Sequence, residues 1–203
     1  MVAGGNKQRN RIDKTDATSP TAALEYILLT ATIDAKEGRD VAIVDIPNAF
    51  VTTRIEKEDD IKTIQLWGKL AKLMVATAPE IYKKYVTVNR KGEMVIYVEA
   101  LNALYGIMKA ALLFYIKFVE NLKSIGFQLN PYDPCVANKI VDGPQLTVVW
   151  HVDDLKVSHI YGGVVMRMAA WLKNTYERLF KDGSGAMKLN RGMIHEYLGM
   201  TLD

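Results

Sequence analysis

Residues 148–159, VVWHVDDLKVSH, decide the reading of this chain. Val148, Val149 and Trp150 run into His151-Val152-Asp153-Asp154, and Leu155, Val157 and His159 then continue in alternation. β-Branched and aromatic residues on both sides of a short polar break predict a tight β-hairpin with two adjacent carboxylates at its tip. Carboxylates are rare inside apolar strand patterns, because burying an unpaired charge costs several kcal/mol or shifts its pKa. A hard divalent cation such as Mg²⁺ is the natural partner for such a pair. The bland alternative is a solvated Asp-Asp turn, which is the commoner case when spacing alone is considered.

Working outward, residues 41–50 read VAIVDIPNAF. Four apolar residues lead into Asp45, and Pro47 ends the strand because it cannot donate to a ladder. Two strands that each end in acid bring Asp45, Asp153 and Asp154 side by side if they share a sheet. Three carboxylates around one site can hold two metals, an arrangement suited to phosphoryl transfer.

Four motifs now stand in order: Asp45 to Phe50, Ala103 to Gly106 (ALYG), His151 to Asp154 (HVDD) and Tyr197 to Met200 (YLGM). Together they resemble the reverse transcriptase domain of copia-type LTR retrotransposons, from about Lys7 to the end of the sequence. The resemblance implies an α+β fold: a polymerase palm with a ferredoxin-like antiparallel sheet, helices packed on one face, and partial fingers. It implies one domain over residues 1–203 and an activity of RNA- and DNA-templated DNA polymerisation. Asp45, Asp153 and Asp154 would be catalytic and, with the Ile46 carbonyl, would bind two Mg²⁺ ions, for which Mn²⁺ can substitute. Asp154 would be the less direct ligand. Asn48, Ala49, Phe50, Tyr105, Gly106 and Lys109 would contact the incoming nucleotide. Phe50 corresponds to a steric gate against the 2′-OH, the group that separates RNA from DNA precursors. His151, Val152, Leu198, Gly199 and Met200 would hold the primer, and Lys188 corresponds to the basic residue of the following palm motif. The implied partners are a primed RNA or DNA template, deoxynucleoside triphosphates, and RNase H and integrase modules of one polyprotein. No membrane partner is implied, and the implied setting is intracellular, in the cytoplasm or a retroelement particle.

Read without the family, Phe50 is a core aromatic, and 197–200 is a strand with a glycine bulge. Two other functional readings compete. One is a catalytically inactive or domesticated fragment that binds nucleic acid or is structural only. It draws on the short fingers and on Met108-Lys109-Ala110-Ala111-Leu112, which replaces the usual Lys-Gln-Ala-Pro-Arg. The other is a nucleotidyl cyclase or related two-metal enzyme, which would lack the ALYG and Leu-Gly elements.

Composition agrees with a folded domain. The 203 residues are 49% hydrophobic and 24% charged, with net charge +3 and pI near 8.8. That length buries a sizeable core in one or two domains, and the mild basicity permits nucleic-acid binding without arguing for it. The single cysteine, Cys135, forbids an internal disulfide and reads as a packed strand residue. The histidines at 151, 159 and 195 lack zinc-ligand spacing. No apolar run approaches the roughly 20 residues of a membrane span, and the N-terminus lacks the apolar core of a secretory signal.

Along the chain, residues 1–17, with Lys7, Arg9, Arg11 and Lys14, read as a flexible polar tail. Ser19 and Pro20 predict a helix start, Leu24, Ile27, Leu28 and Ala31 its apolar stripe, and Gly38 its stop. Residues 52–62 read as a charged linker, and 64–78 only loosely. Pro79 opens a short helix reaching Tyr85. A hairpin is predicted for 86–88 and 94–98 around Asn89–Gly92. A helix is predicted over 101–126, with Leu104, Met108, Leu112, Tyr115, Val119 and Leu122 on one face. Residues 130–134 form a dense turn, 135–140 and 145–151 a second hairpin, 164–180 a helix, 182–185 a loop, and 187–189 a strand.

Overall fold

The structure is a computed structural model and describes residues 17–55, 62–177 and 185–203. In chain order it contains α1 (Leu24–Glu37), β1 (Asp40–Asp45), a 3-10 turn (Ala49–Thr52), β2 (Lys62–Trp67), α2 (Lys69–Thr77) and α3 (Pro79–Tyr82). There follow β3 (Thr87–Val88), β4 (Met94–Ala100), α4 (Ala110–Ser124), β5 (Gln128–Leu129), β6 (Val136–Ile140), β7 (Gln145–His151) and β8 (Asp154–His159). The chain ends with α5 (Gly162–Tyr176), β9 (Lys188–Arg191), β10 (His195–Tyr197) and β11 (Met200–Leu202). This is an α+β fold with antiparallel sheets. The charged stretch from Glu56 through Asp60, the basic tail, Phe180 and most of the 182–185 loop lie outside the described residues.

The main sheet runs β5-β6-β7-β8-β1-β9. Its last four strands and two helices follow the connectivity β1-α4-β7-β8-α5-β9, a β-α-β-β-α-β chain with β1 inserted between β8 and β9. Residues 146–150 and 155–159 are all buried, so both faces of β7 and β8 must be covered. On one face Trp150 packs edge-on against Phe118 of α4, at 5.1 Å between ring centroids, and Tyr176 of α5 meets Phe114 and Phe118. The opposite face carries Thr147 and Lys156 and is covered by α1, whose Asp34 forms a buried ion pair with Lys156. Burial pulls the Lys156 ammonium below its ordinary range, against the pull of Asp34. Helices therefore flank the sheet on both sides rather than on one.

The α1 stripe also differs from expectation. Ile27, Thr30 and Asp34 are buried, whereas Leu24 and Leu28 are 54% and 47% exposed. Hydrophobicity pointed to the leucines, but the buried lysine on β8 selects the face bearing Asp34. The helix starts at Leu24, not at Pro20, because the preceding backbone is held to the sheet: Ala22 N–H donates to the Trp150 carbonyl and Ala23 N–H to Asp133 Oδ2. Gly38 stops it in the left-handed conformation, φ 61°, as predicted.

Helix α4 begins at Ala110, nine residues later than the periodicity suggests. Gly106 takes φ 92°, and Ala103 N–H donates to the Thr53 carbonyl, so 101–109 is an elbow and not helix. Its buried face is Ala110, Phe114, Phe118, Val119 and Leu122. Helix α5 includes both glycines, 162 and 163, that were expected to precede it.

The hairpins form as predicted, β3–β4 with Val88 opposite Met94 and β6–β7 with Ile140 opposite Gln145. A second sheet, β2-β4-β3, carries α2, against which α3 packs. Cys135 is fully buried. Among the described residues no helix is long and apolar enough to cross a membrane.

Candidate active site

The β7–β8 hairpin pairs His151 with Asp154, leaving a loop of Val152 and Asp153 alone. Two-residue hairpin loops need positive φ, and Val152 supplies it at 60°. A β-branched residue there is strained by about 1–3 kcal/mol. The tip is tied to the end of β1, where Ile46 N–H donates to the Asp153 carbonyl at 3.1 Å.

Register then builds a row across four strands. His151 on β7 faces Asp154 on β8, Asp154 faces Asp45 on β1, and Asp45 faces Lys188 on β9. Directly paired residues of antiparallel strands share a face, so two carboxylates stand side by side with a basic residue at either end. Lys188 Nζ lies 3.4 Å from Asp45 Oδ2. Burial, and then the negative charges of Asp153 and Asp45, hold the Asp154 carboxyl above its usual range.

Asp153 turns to the elbow before α4. Tyr105 donates its hydroxyl to Asp153 Oδ2 at 3.1 Å. Burial and then the Asp153 charge raise the Tyr105 phenol, so it stays a donor. The Tyr105 ring lies 4.4 Å from that of Phe50, which reaches Phe114 of the core at 6.2 Å. Phe50 is thus a core aromatic and also the wall beneath Tyr105. Asn48, at φ 58°, turns the chain into Ala49–Thr52, and Ala49 is fully buried. Lys109 occupies the N-cap position of α4, four residues beyond Tyr105.

Leu198, Gly199 and Met200 belong to a separate two-stranded hairpin, β10–β11. Leu198 and Gly199 take φ 52° and 76°, the two positive angles of a type I′ turn, so the segment is a tight hairpin and not a bulged strand. It joins the site through Tyr197, whose hydroxyl donates to the Asp154 carbonyl at 3.3 Å. Reading the sequence missed Tyr197 in this role, because the contact is not local.

Among the described residues no group of three or more His, Cys, Asp or Glu side chains is placed to hold a metal ion as it stands. Asp45 is turned to Lys188 and Asp153 to Tyr105. The donor chemistry still fits a hard divalent cation, because oxygen donors dominate, and burial, then the charges of Asp153 and Asp45, already raise Asp154. No family model matches the chain, and no curated protein matches it.

Proposed function

We propose that this chain is the reverse transcriptase domain of a copia-type LTR retrotransposon, performing RNA- and DNA-templated DNA polymerisation. The observation that carries the reading is the placing of Asp45 directly opposite Asp154, one residue from Asp153 at a hairpin tip. The β-α-β-β-α-β connectivity supports a ferredoxin-like palm, and the β2-β4-β3 sheet a partial fingers region.

Asp45, Asp153, Asp154 and the Ile46 carbonyl would hold two Mg²⁺ ions, or Mn²⁺ in their place, which when bound stabilise charge on the attacking and leaving oxygens. The chain supplies everything else by position. Phe50, wedged between Tyr105 and the core, stands as a rigid gate against a ribose 2′-OH. Asn48, Ala49, Tyr105, Gly106 and Lys109 orient the nucleotide. His151, Val152 and the Leu198-Gly199-Met200 turn hold the primer end against the carboxylates. The duplex is gripped through phosphates, so binding weakens with salt. RNase H and integrase modules of the same polyprotein, in an intracellular particle, complete the proposal.

A second reading is a catalytically inactive or domesticated fragment that binds nucleic acid or is structural only. It is favoured by the protein partners that Asp45 and Asp153 already have in Lys188 and Tyr105. Primer extension on an RNA template with Mg²⁺ or Mn²⁺, run beside Asp153→Asn, decides between them. Extension that falls about a hundredfold or more in the variant supports the polymerase. A folded sample that binds primer–template and never extends it supports the second reading.

A further inference from the structure

Strand β1 begins and ends in aspartate, Asp40 and Asp45, and its edge neighbour β9 begins and ends in a cation, Lys188 and Arg191. The two resulting ion pairs are unlike. Arg191 Nη2 sits 2.7 Å from Asp40 Oδ1, with its side chain 38% exposed, and a Cβ added at Gly162 would come within 3.0 Å of the same Nη2. That pair is packed into the start of α5. Lys188 stands 3.4 Å from Asp45 with its side chain 81% exposed, so its head is held by charge and by little else.

The register of β1 on β9 sets the loose pair, and only the loose pair, beside the two carboxylates. An exposed lysine on an edge strand also discourages edge-to-edge pairing, but that role has no need of a carboxylate directly across the ladder. An exposed ammonium on a flexible stem is also easily withdrawn. We infer that Lys188 is a resident counter-ion of the carboxylate row, which a divalent cation must displace from Asp45 to bind. Lys188 thereby sets the cation affinity of the site. The inference rests on the proposed metal-binding role of Asp45 and Asp154.

The test is Mn²⁺ binding by the whole chain at low ionic strength, followed by the electron paramagnetic resonance of free Mn²⁺. It compares wild type, Lys188→Gln, Lys188→Arg and Arg191→Gln. Lys188→Gln should bind about eightfold more tightly, roughly the effect of one unit charge at this separation in water. Lys188→Arg, which keeps the charge, and Arg191→Gln, which removes an equal charge elsewhere, should match wild type. Unchanged or weaker binding by Lys188→Gln overturns the inference and leaves the metal site standing. Equal tightening in Arg191→Gln also overturns it, since net charge would then explain the effect. Absence of Mn²⁺ binding in wild type and every variant overturns both the inference and the two-metal reading. Lys188 is so exposed that its substitution leaves the fold intact, which thermal melting of each variant verifies.

Discussion

Asp45 and Asp154 are direct cross-strand partners on β1 and β8, although 109 residues separate them in the chain. Like charges directly opposite one another destabilise a sheet. The site thus trades stability for a concentrated negative charge, as functional sites commonly do. Asp154→Asn should raise stability by about 0.5 kcal/mol in cation-free buffer, while reducing any primer extension less than Asp153→Asn does. Urea unfolding in the presence of a chelator measures the gain, and a loss of stability would contradict the repulsion argument.

Val152 holds a left-handed φ of 60° at the hairpin tip. Val152→Gly removes the steric cost of a β-branched residue there and should stabilise the fold by about 1 kcal/mol, after allowing for the extra chain entropy of glycine. The same freedom should blur the position of Asp153 and reduce extension. Paired unfolding and activity measurements check both directions.

Asp133 is almost wholly buried and accepts two backbone N–H groups, from Ala23 at 2.9 Å and from Cys135 at 2.8 Å. It therefore joins the start of α1 to the turn that leads into β6. Asp133→Ala leaves two donors unsatisfied and should cost about 2–3 kcal/mol. Asp133→Asn, which keeps one acceptor oxygen, should cost about half of that. Unfolding midpoints in urea, with unchanged slopes, provide the comparison.

Burial pushes the Cys135 thiol up to about 12, with the Asp133 carboxylate adding to the effect. The folded value thus lies above the unfolded value of about 8.5. Its contribution to stability is fully present below that unfolded value and is lost as pH rises toward 12. Wild type should accordingly lose stability relative to Cys135→Ala across this alkaline window, by at most about 1.4 kcal/mol per pH unit. A thiol reagent at pH near 8 should label Cys135 only after denaturant is added.

Turn chemistry and short-range alternation were legible in the residues themselves. VVWHVDDLKVSH folds as a hairpin with Asp153 in its loop and Asp154 opening its second strand, Gly38 stops α1, and β1 ends at Asp45 just before Pro47. Each of these is decided within a few residues, by backbone angles that the local side chains favour or forbid. Helix starts were less legible, because they depend on where the preceding backbone is anchored. The Trp150 carbonyl and Asp133 delay α1, and the Thr53 carbonyl delays α4.

The sequence by itself therefore determined β1 and the β3–β4, β6–β7 and β7–β8 hairpins, and that acids close two strands, but it did not mark β2 or β5 and offered 197–200 as a bulged strand where a hairpin forms. Only the tertiary structure decided that Asp45 meets Asp154, that Lys188 meets Asp45, that Tyr105 reaches Asp153, and that α1 turns Asp34 rather than its leucines to the sheet. Those choices depend on register. A slip of one residue between β1 and β8 would turn every side chain of one strand to the opposite face. The energy that prevents it comes from covering both faces of the sheet at once, on one side with α4 and α5 and on the other with α1.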